Sequence, residues 1–366
     1  MPKNYNEAKS ALEDAIAKID PVEAKADLHD NLNLLKANLV NVCNWLDRNV
    51  PREYRLRSGS GVLEKQLEVY NRQSAGKPVV LSALEAREGI YEQARTLYQL
   101  RAFPVVNSIV VRNFASDVIS ACESGRFLAA LPSLRALIER AALLNTLVRE
   151  VSPIVGGVDA KKPLAILTLH KVGEVVARAL YSTRVNWTSL LEKDPKDINK
   201  KDLKFDPIAG AIDLTAETIL NQIDKLGNAV PGIRVAYEVL CEFAHPNYGD
   251  LIFATSTYEE GESDWCGMRV RTRIIGHGVG EIELPIDYTI VFGKVLKVCA
   301  ELSQQFISDH RALAKATAAA EQMVRSYMRS AIKRNRDAYR KSDRCPCGSE
   351  KYVGSCCGRL LSGFAR

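Results

Sequence analysis

The chain has 366 residues, of which 46% are hydrophobic and 26% are charged, and its formal net charge is +6. This length and composition exclude a disulfide-stabilised peptide, a fibrous repeat and a disordered chain, and they predict a globular protein with a sizeable core. The start of the chain is acidic and amphipathic, and we find no run of roughly 18 apolar residues as in a membrane span. We therefore expect no membrane span and a cytoplasmic, prokaryotic protein.

The first part of the chain carries apolar positions at helical spacing. Residues 5–19 and 21–47 are predicted as two helices, with Pro21 at the first position of the second, where the fixed φ of proline is favourable. We interpret residues 1–47 as an N-terminal helical hairpin. The stretch 48–61 contains proline, glycine and several arginines, which is typical of a loop or linker leading to the body.

A helical body with one small β insertion is predicted over residues 62–320. Between 250 and 286 the residues are richer in β-branched and aromatic types, with "EEGES" (259–263) as a turn, which predicts a β-hairpin. Helix returns from about 287 and can continue past 340, because that stretch contains no proline. Before the insertion, apolar periodicity indicates helices at about 82–100, 104–124, 127–150, 163–185, 215–226 and 230–245.

Four of the nine cysteines are crowded near the end of the chain, in a C-x-C-x8-C-C pattern. They are Cys345, Cys347, Cys356 and Cys357. A zinc ion takes four thiolates in a tetrahedron, and two close pairs on a turn-rich loop can supply them. Disulfides within either pair would be strained and are disfavoured in the cytosol. The spacing favours a structural Zn²⁺ site, with labile redox thiols as the alternative.

The stretch "CPCGSEKYVGSCCG" (345–358) resembles the SEC-C motif, the small zinc-binding module at the C-terminus of the SecA translocation ATPase. It departs from the motif at Glu350, where glycine is usual, and over 352–355, which replace a lysine-rich run. The resemblance implies a zinc module over residues 345–366 that docks on partner proteins, ribosomes or acidic surfaces. The matching positions are both cysteine pairs, Pro346, Gly348, Ser349, Lys351 and Gly358.

The basic residues of the chain are concentrated in its tail. From Glu321 to Arg366 there are 11 Lys and Arg against 4 Asp and Glu. A helix over 321–344 would carry five of the basic residues on one stripe, which can follow a phosphate backbone. The alternatives are an acidic protein partner or a solvated helix face. The stripe consists of Arg325, Arg329, Lys333, Arg336 and Arg340.

The helix predicted at 127–150 combines a core stripe with a charged flank. Arg135 and Glu139 stand one turn apart on that flank, where the simplest interpretation is an ion pair of a few tenths of a kcal/mol. The core stripe consists of Leu134, Ile138, Ala141, Asn145 and Val148.

The helix predicted at 230–245 carries a row of polar side chains that ends at a histidine, and Pro246 follows directly. For His245 we consider a helix-end or core role, ligand binding, and catalysis. We expect Val235, Val239 and Phe243 to face inward. The opposite face would carry Arg234, Glu238, Cys241 and His245.

The sequence pattern of these two helices resembles that of bacterial helical families of the HEPN type, in which paired helices present an arginine and a histidine that cleave RNA. The resemblance consists of an R-x3-E helix followed later by a helix ending in His-Pro. The HEPN signature, R-x4-6-H, has its match at Arg271 and His277, in the predicted strand and its turn. The catalytic candidates that this resemblance implies are His245, Arg234, Arg135 and Glu139.

These observations predict a mainly α fold: a helical bundle with a small β-hairpin insertion and a C-terminal zinc knuckle. The expected function is that of a zinc-binding adaptor whose tail and basic helix, residues 321–344, recruit it to a protein, ribosome or nucleic-acid partner. Bacterial stress and phage defence are settings for such a protein. The alternative is a HEPN-like RNase delivered by the zinc tail. The oligomeric state is left open, with a homodimer as one option.

Overall fold

The structure, a computed structural model, describes residues 20–54, 81–124, 127–158, 165–181, 218–244, 255–263, 269–275, 286–334, 342 and 351–355. These residues are mainly α-helical, which confirms the predicted fold class at this level. Among the described helices, none combines the length and apolar character needed to cross a membrane. The helices are α1 Pro21–Asn49, α2 Leu81–Glu123, α3 Phe127–Gly156, α4 Ala165–Tyr181, α5 Ile219–Gly227, α6 Ile233–Ala244 and α7 Ile286–Arg334.

Helix α1 begins where its sequence predicts. Asp20 precedes Pro21, and its Oδ1 accepts a hydrogen bond from the backbone N of Val22 at 2.8 Å, which satisfies one of the open donors at the helix start. The buried face of α1 includes Leu35 and Leu46. Asn38 donates to the backbone oxygen of Ala300 at 3.1 Å, so α1 packs against α7. The helix predicted at 5–19 lies outside the described residues.

Helix α2 corrects the prediction of two helices at 82–100 and 104–124. It runs without interruption from Leu81 to Glu123 and contains Pro104. A proline inside a helix removes one hydrogen bond and costs about 3 kcal/mol. Burial of the flanking Leu100, Phe103 and Val105 offsets this cost, because each fully buried side chain of this size contributes about 1.5–3 kcal/mol.

The predicted core stripe of α3 is confirmed, since all five of its side chains are at least nine-tenths buried. Helices α5 and α6 form a tight pair, joined by a turn that ends at Gly232 with φ of 85°. A side chain at Gly232 would be strained in this left-handed conformation and would lie 3.4 Å from a methyl group of Val298.

Two strands, β1 Thr255–Ser263 and β2 Arg269–Ile275, pair antiparallel, with Tyr258 opposite Arg273. The register shifts twice along the pair. Residues 259–263, predicted as the turn, lie instead in β1, and the connection at 264–268 lies outside the described residues. The prediction relied on the polar composition of that segment, which does not prevent a strand from pairing on its backbone.

The chain divides into two compact units. Unit 1 takes its described residues from Met1–Asn49, Ser108–Ala142 and Ile219–Ser308, and unit 2 takes them from Val50–Asn107, Leu143–Thr218 and Asp309–Arg366. In the core of unit 1 the rings of Phe243 and Phe292 lie 4.9 Å apart. The core of unit 2 includes Leu97, Leu144, Leu169 and Leu313. The four-segment division predicted from the sequence stays a prediction.

Candidate functional site

The two helices that carry the catalytic candidates meet in unit 1, and Tyr237 joins them. The Tyr237 hydroxyl of α6 donates a hydrogen bond to Oε1 of Glu139 on α3 at 2.9 Å. Nε of Arg135 lies 3.3 Å from the same oxygen, in the ion pair that the sequence predicted. The Arg135 guanidinium also lies over the Tyr237 ring, 5.4 Å from its centroid. We call Arg135, Glu139 and Tyr237 the Tyr237 network.

The inward face of α6 differs from the prediction. Val235 is 67% exposed, whereas Ile233, Tyr237 and Leu240 are buried, together with the correctly predicted Phe243. Both patterns have helical spacing, but the observed one buries a larger aromatic and aliphatic area, which decides the orientation. The prediction missed Tyr237 for this reason. Testing each possible stripe on α6 for its total apolar area would have found it.

Arg234 and Glu238 lie together on the outer side of α6, as predicted. Arg234 Nη2 lies 2.7 Å from Glu238 Oε1, and its Nη1 lies 3.0 Å from Oδ1 of Asp224 on α5. The guanidinium therefore joins α5 to α6 through two carboxylates. His245 follows α6 directly but lies outside the described residues.

The surroundings of Tyr237 raise its pKa and those of two neighbouring side chains, Arg135 and Cys241. Burial, together with the hydrogen bond to Glu139, raises the pKa of Tyr237 to about 12. Burial acts to lower the pKa of Arg135, but hydrogen bonding to Tyr237 and the nearby acidic groups raise it overall. Burial also raises the pKa of the neighbouring Cys241 thiol, although Arg135 opposes this. At neutral pH the Tyr237 phenol is therefore neutral, Arg135 is a cation and the Cys241 thiol is protonated. Groups in these states are better suited to connecting helices than to transferring protons.

A second polar network lies in unit 2. Asn145 of α3 donates from Nδ2 to Oδ2 of Asp309 on α7 at 3.0 Å, and both side chains are buried. His310 is 3% exposed, and burial lowers its pKa to about 4. The sequence analysis placed Asn145 in the core stripe but did not identify Asp309, because no local pattern connects two residues so far apart in the chain.

The first residue of the predicted basic stripe lies in a third cluster, also in unit 2. Arg325 Nη2 lies 3.3 Å from Oε2 of Glu321, and Arg101 of α2 hydrogen-bonds the other carboxylate oxygen, Oε1. The neighbouring Met323 and Val324 are buried, so this turn of α7 belongs to the core of unit 2. For Arg329 and Lys333 the structure describes the helical backbone, and Arg336 and Arg340 lie outside the described residues.

The four tail cysteines lie outside the described residues, but the structure describes residues 351–355 between the two pairs. Val353–Ser355 form one turn of 3-10 helix, and both N and Oγ of Ser355 donate to the backbone oxygen of Tyr352, at 3.0 and 3.1 Å. Lys351 and Tyr352 are exposed. In the part of the chain that the structure describes, no cluster of three His, Cys, Asp or Glu side chains could hold a metal ion.

The chain matches no protein-family model, no curated protein and no solved structure.

Proposed function

We propose that this protein is a zinc-binding helical adaptor that binds a polyanionic partner, RNA or the ribosome, through its basic helix and C-terminal zinc module. The observation that carries the proposal is the C-x-C-x8-C-C pattern in a tail that is rich in lysine and arginine. This function fits a cytoplasmic bacterial protein that acts in stress or phage defence.

The donor set fits zinc. Four thiolates are the ligands of a structural zinc site, and Cys345, Cys347, Cys356 and Cys357 would hold the ion. The 3-10 turn between the two pairs is the kind of tight loop that lets close cysteine pairs converge. Bound zinc would supply folding free energy to a segment of about twenty residues that has almost no core of its own.

The basic helix supports a polyanionic partner. Helix α7 continues without interruption to Arg334, so the backbones of Arg329 and Lys333 lie at successive turns of one helix. A repeat of positive charges at helical spacing can contact successive phosphates.

The described geometry favours the adaptor over a HEPN-like RNase. Arg135 and Arg234, the two candidate arginines, each lie within 3.3 Å of carboxylate oxygens and connect helices. A guanidinium with this charge compensation is a weaker phosphate ligand than an uncompensated one. Purified protein incubated with mixed RNA, as wild type and as His245→Ala, tests the alternative. Cleavage by the wild type that the variant lacks would support the RNase.

Metal analysis tests the zinc module. Protein purified without chelator should contain close to one zinc ion per chain, and the double variant Cys356→Ser/Cys357→Ser should contain none. The matched control is Cys43→Ser/Cys122→Ser, which changes two half-buried cysteines of the helical region and should retain the metal. Retention of zinc by the tail variant would contradict the assignment.

Charge reversal tests the basic helix. The variant Arg329→Glu/Lys333→Glu/Arg336→Glu should lose most of its RNA affinity, because three phosphate contacts become repulsive. Wild-type affinity should fall steeply with salt as counterions are released. Equal binding by the wild type and the variant at every salt concentration would show that the stripe is merely solvated.

A further inference from the structure

Unit 1 contains a buried cavity of about 30 Å³ among helices α1, α2, α3 and α7. The side chains that line the cavity are at most 7% exposed. In the part of the chain that the structure describes, this lining consists of nine hydrocarbon side chains, the thiol of Cys299 and the hydroxyl of Ser303. Protein cores contain few voids larger than a water molecule, so this cavity provides space for a small ligand.

The polarity of the lining determines which kind of molecule the cavity can hold. Its volume is sufficient for one water molecule, since roughly 10–15 Å³ is the minimum for a hydrated cavity. A buried water makes about three hydrogen bonds, however, and this lining offers one hydroxyl and one thiol, which is a weak hydrogen-bonding group. Ser303 also lies within α7, where a serine hydroxyl can bond to the carbonyl four residues earlier. The lining therefore suits an apolar molecule better than water.

Cys299 is independent evidence that the cavity is apolar. Its thiol is 3% exposed, and burial raises its pKa to about 12. A thiol in such surroundings stays protonated and acts as a small, polarizable hydrophobic group. The ring of Phe306 lies in the same wall of the cavity, one helix of which carries both residues. These two groups provide strong dispersion contacts for an apolar molecule.

We propose that this cavity binds one small apolar molecule without hydrogen-bonding groups, of the size of dioxygen or xenon. Atoms that line a void have fewer van der Waals partners than atoms of a fully packed core, and an apolar ligand restores these contacts. Such a ligand also leaves no polar group unpaired. Buried side chains from four helices form the walls, so the site exists before the ligand binds. The proposal goes beyond the adaptor function and does not depend on zinc or RNA.

Xenon is the probe for this site, because it is apolar and binds in apolar protein cavities. Methyl NMR spectra of the whole chain are recorded under increasing xenon pressure. The methyl resonances of Val42 on α1 and Val111 on α2, which line the cavity, should shift and reach saturation. Leu169 and Leu313 are buried in the core of unit 2, and their methyl resonances should show no saturable shift.

Variants that fill the cavity should remove the site. Ala141→Val adds two carbon atoms to the wall formed by α3 and should abolish the saturable shifts. The matched control is Ala130→Val, which changes a buried alanine of the same helix, about three turns away, and should retain them. Val111→Ile adds a single carbon atom and is the second filling variant, for which weaker xenon binding is expected. Denaturant unfolding of each variant checks that it is folded.

Three results would overturn the proposal. If the resonances of Val42 and Val111 change with xenon pressure only as those of unit 2 do, the cavity does not bind xenon. Equal xenon affinity in wild type and in both filling variants would place the bound atom elsewhere. Nuclear Overhauser contacts between a long-lived water molecule and these methyl groups would identify water as the ligand. None of these results would affect the zinc and RNA tests of the proposed function.

Discussion

The Tyr237 network of unit 1 and the Asn145–Asp309 pair of unit 2 both join helices that are far apart in the sequence, but they lie at different depths. In the Tyr237 network, the side chains of Arg135 and Glu139 are 27% and 35% exposed. Asn145, Asp309 and the adjacent His310 are all at most 5% exposed. The first network keeps its charges partly solvated, and the second has removed its polar groups from water.

Depth determines which polar contacts affect stability and at what pH. Breaking a partly solvated ion pair lowers the stability of the protein only slightly, because water replaces the lost partner. A buried polar group that loses its partner pays its full desolvation cost. Burial disfavours the charged form of a side chain, so it lowers the pKa of His310 and raises the pKa of Tyr237. We therefore expect the network in unit 2 to respond to acid and the network in unit 1 to respond to alkali.

The largest expected effect concerns His310. Its pKa is lowered from 6.5 to about 4, so the unfolded chain binds a proton more readily than the folded chain between these values. This contribution to stability is complete above pH 6.5 and is lost as the pH falls toward 4, by about 3 kcal/mol at its limit. Urea unfolding from pH 7.5 to 4 should show the wild type losing more stability than His310→Gln.

Other groups titrate over the same pH range, so the difference between matched variants is the informative quantity. His29 is exposed on α1, so His29→Gln is the matched histidine control for His310→Gln. If the free energy of unfolding falls equally with decreasing pH in wild type and His310→Gln, the His310 ring has access to solvent in the folded protein.

The second effect is smaller and does not depend on the charge of histidine. Asn145→Leu removes the amide that donates to Asp309 and should lower the free energy of unfolding by about 1–3 kcal/mol, the range for a buried polar group that loses a hydrogen-bond partner. Asn49→Leu is the control, because Asn49 is exposed and bonds within its own helix turn, to the backbone oxygen of Trp45. This control should change stability by about 0.5 kcal/mol or less.

A double variant determines whether the Asn145 effect belongs to the pair. Replacing Asp309 by leucine as well removes both polar partners, which can be nearly neutral when the shape is retained. We expect Asn145→Leu/Asp309→Leu to be less destabilised than the sum of the two single variants, as measured in a double-mutant cycle. Additive losses would mean that the bond between Asn145 and Asp309 contributes nothing specific.

Particular residues show how far the sequence could predict this fold and this site. The stripe from Leu134 to Val148 and the pair of Arg135 and Glu139 were predictable because both depend on spacing within one helix. The continuity of α2 through Pro104 was not, because it depends on how much apolar surface the neighbouring helices bury. Tyr237 and Asp309 were missed for the same reason, since their partners come from other helices. The zinc site of the tail stays a prediction.

The smallest expected effect separates the hydroxyl of Tyr237 from its ring. Tyr237→Phe keeps the buried ring and its contact with Arg135 but removes the hydrogen bond to Glu139. The Glu139 carboxylate still has its ion pair with Arg135 and remains partly exposed to water. We therefore expect a loss of about 1 kcal/mol in the free energy of unfolding at pH 7, close to the mean for one hydrogen bond. The control is Tyr352→Phe, which alters an exposed tyrosine of the tail and should leave this free energy unchanged.

The free energy of unfolding at alkaline pH tests the environment of the Tyr237 hydroxyl independently. Because the folded pKa of Tyr237 is raised to about 12 from 10, its contribution to stability is complete below pH 10 and is lost as the pH rises toward 12. Tyr237→Phe has no proton to lose there, so the difference in the free energy of unfolding between this variant and the wild type should become smaller over this range. A constant gap between Tyr237→Phe and wild type from pH 7 to 11.5 would mean that the folded protein does not raise the pKa of the phenol, and that its hydroxyl is in contact with solvent.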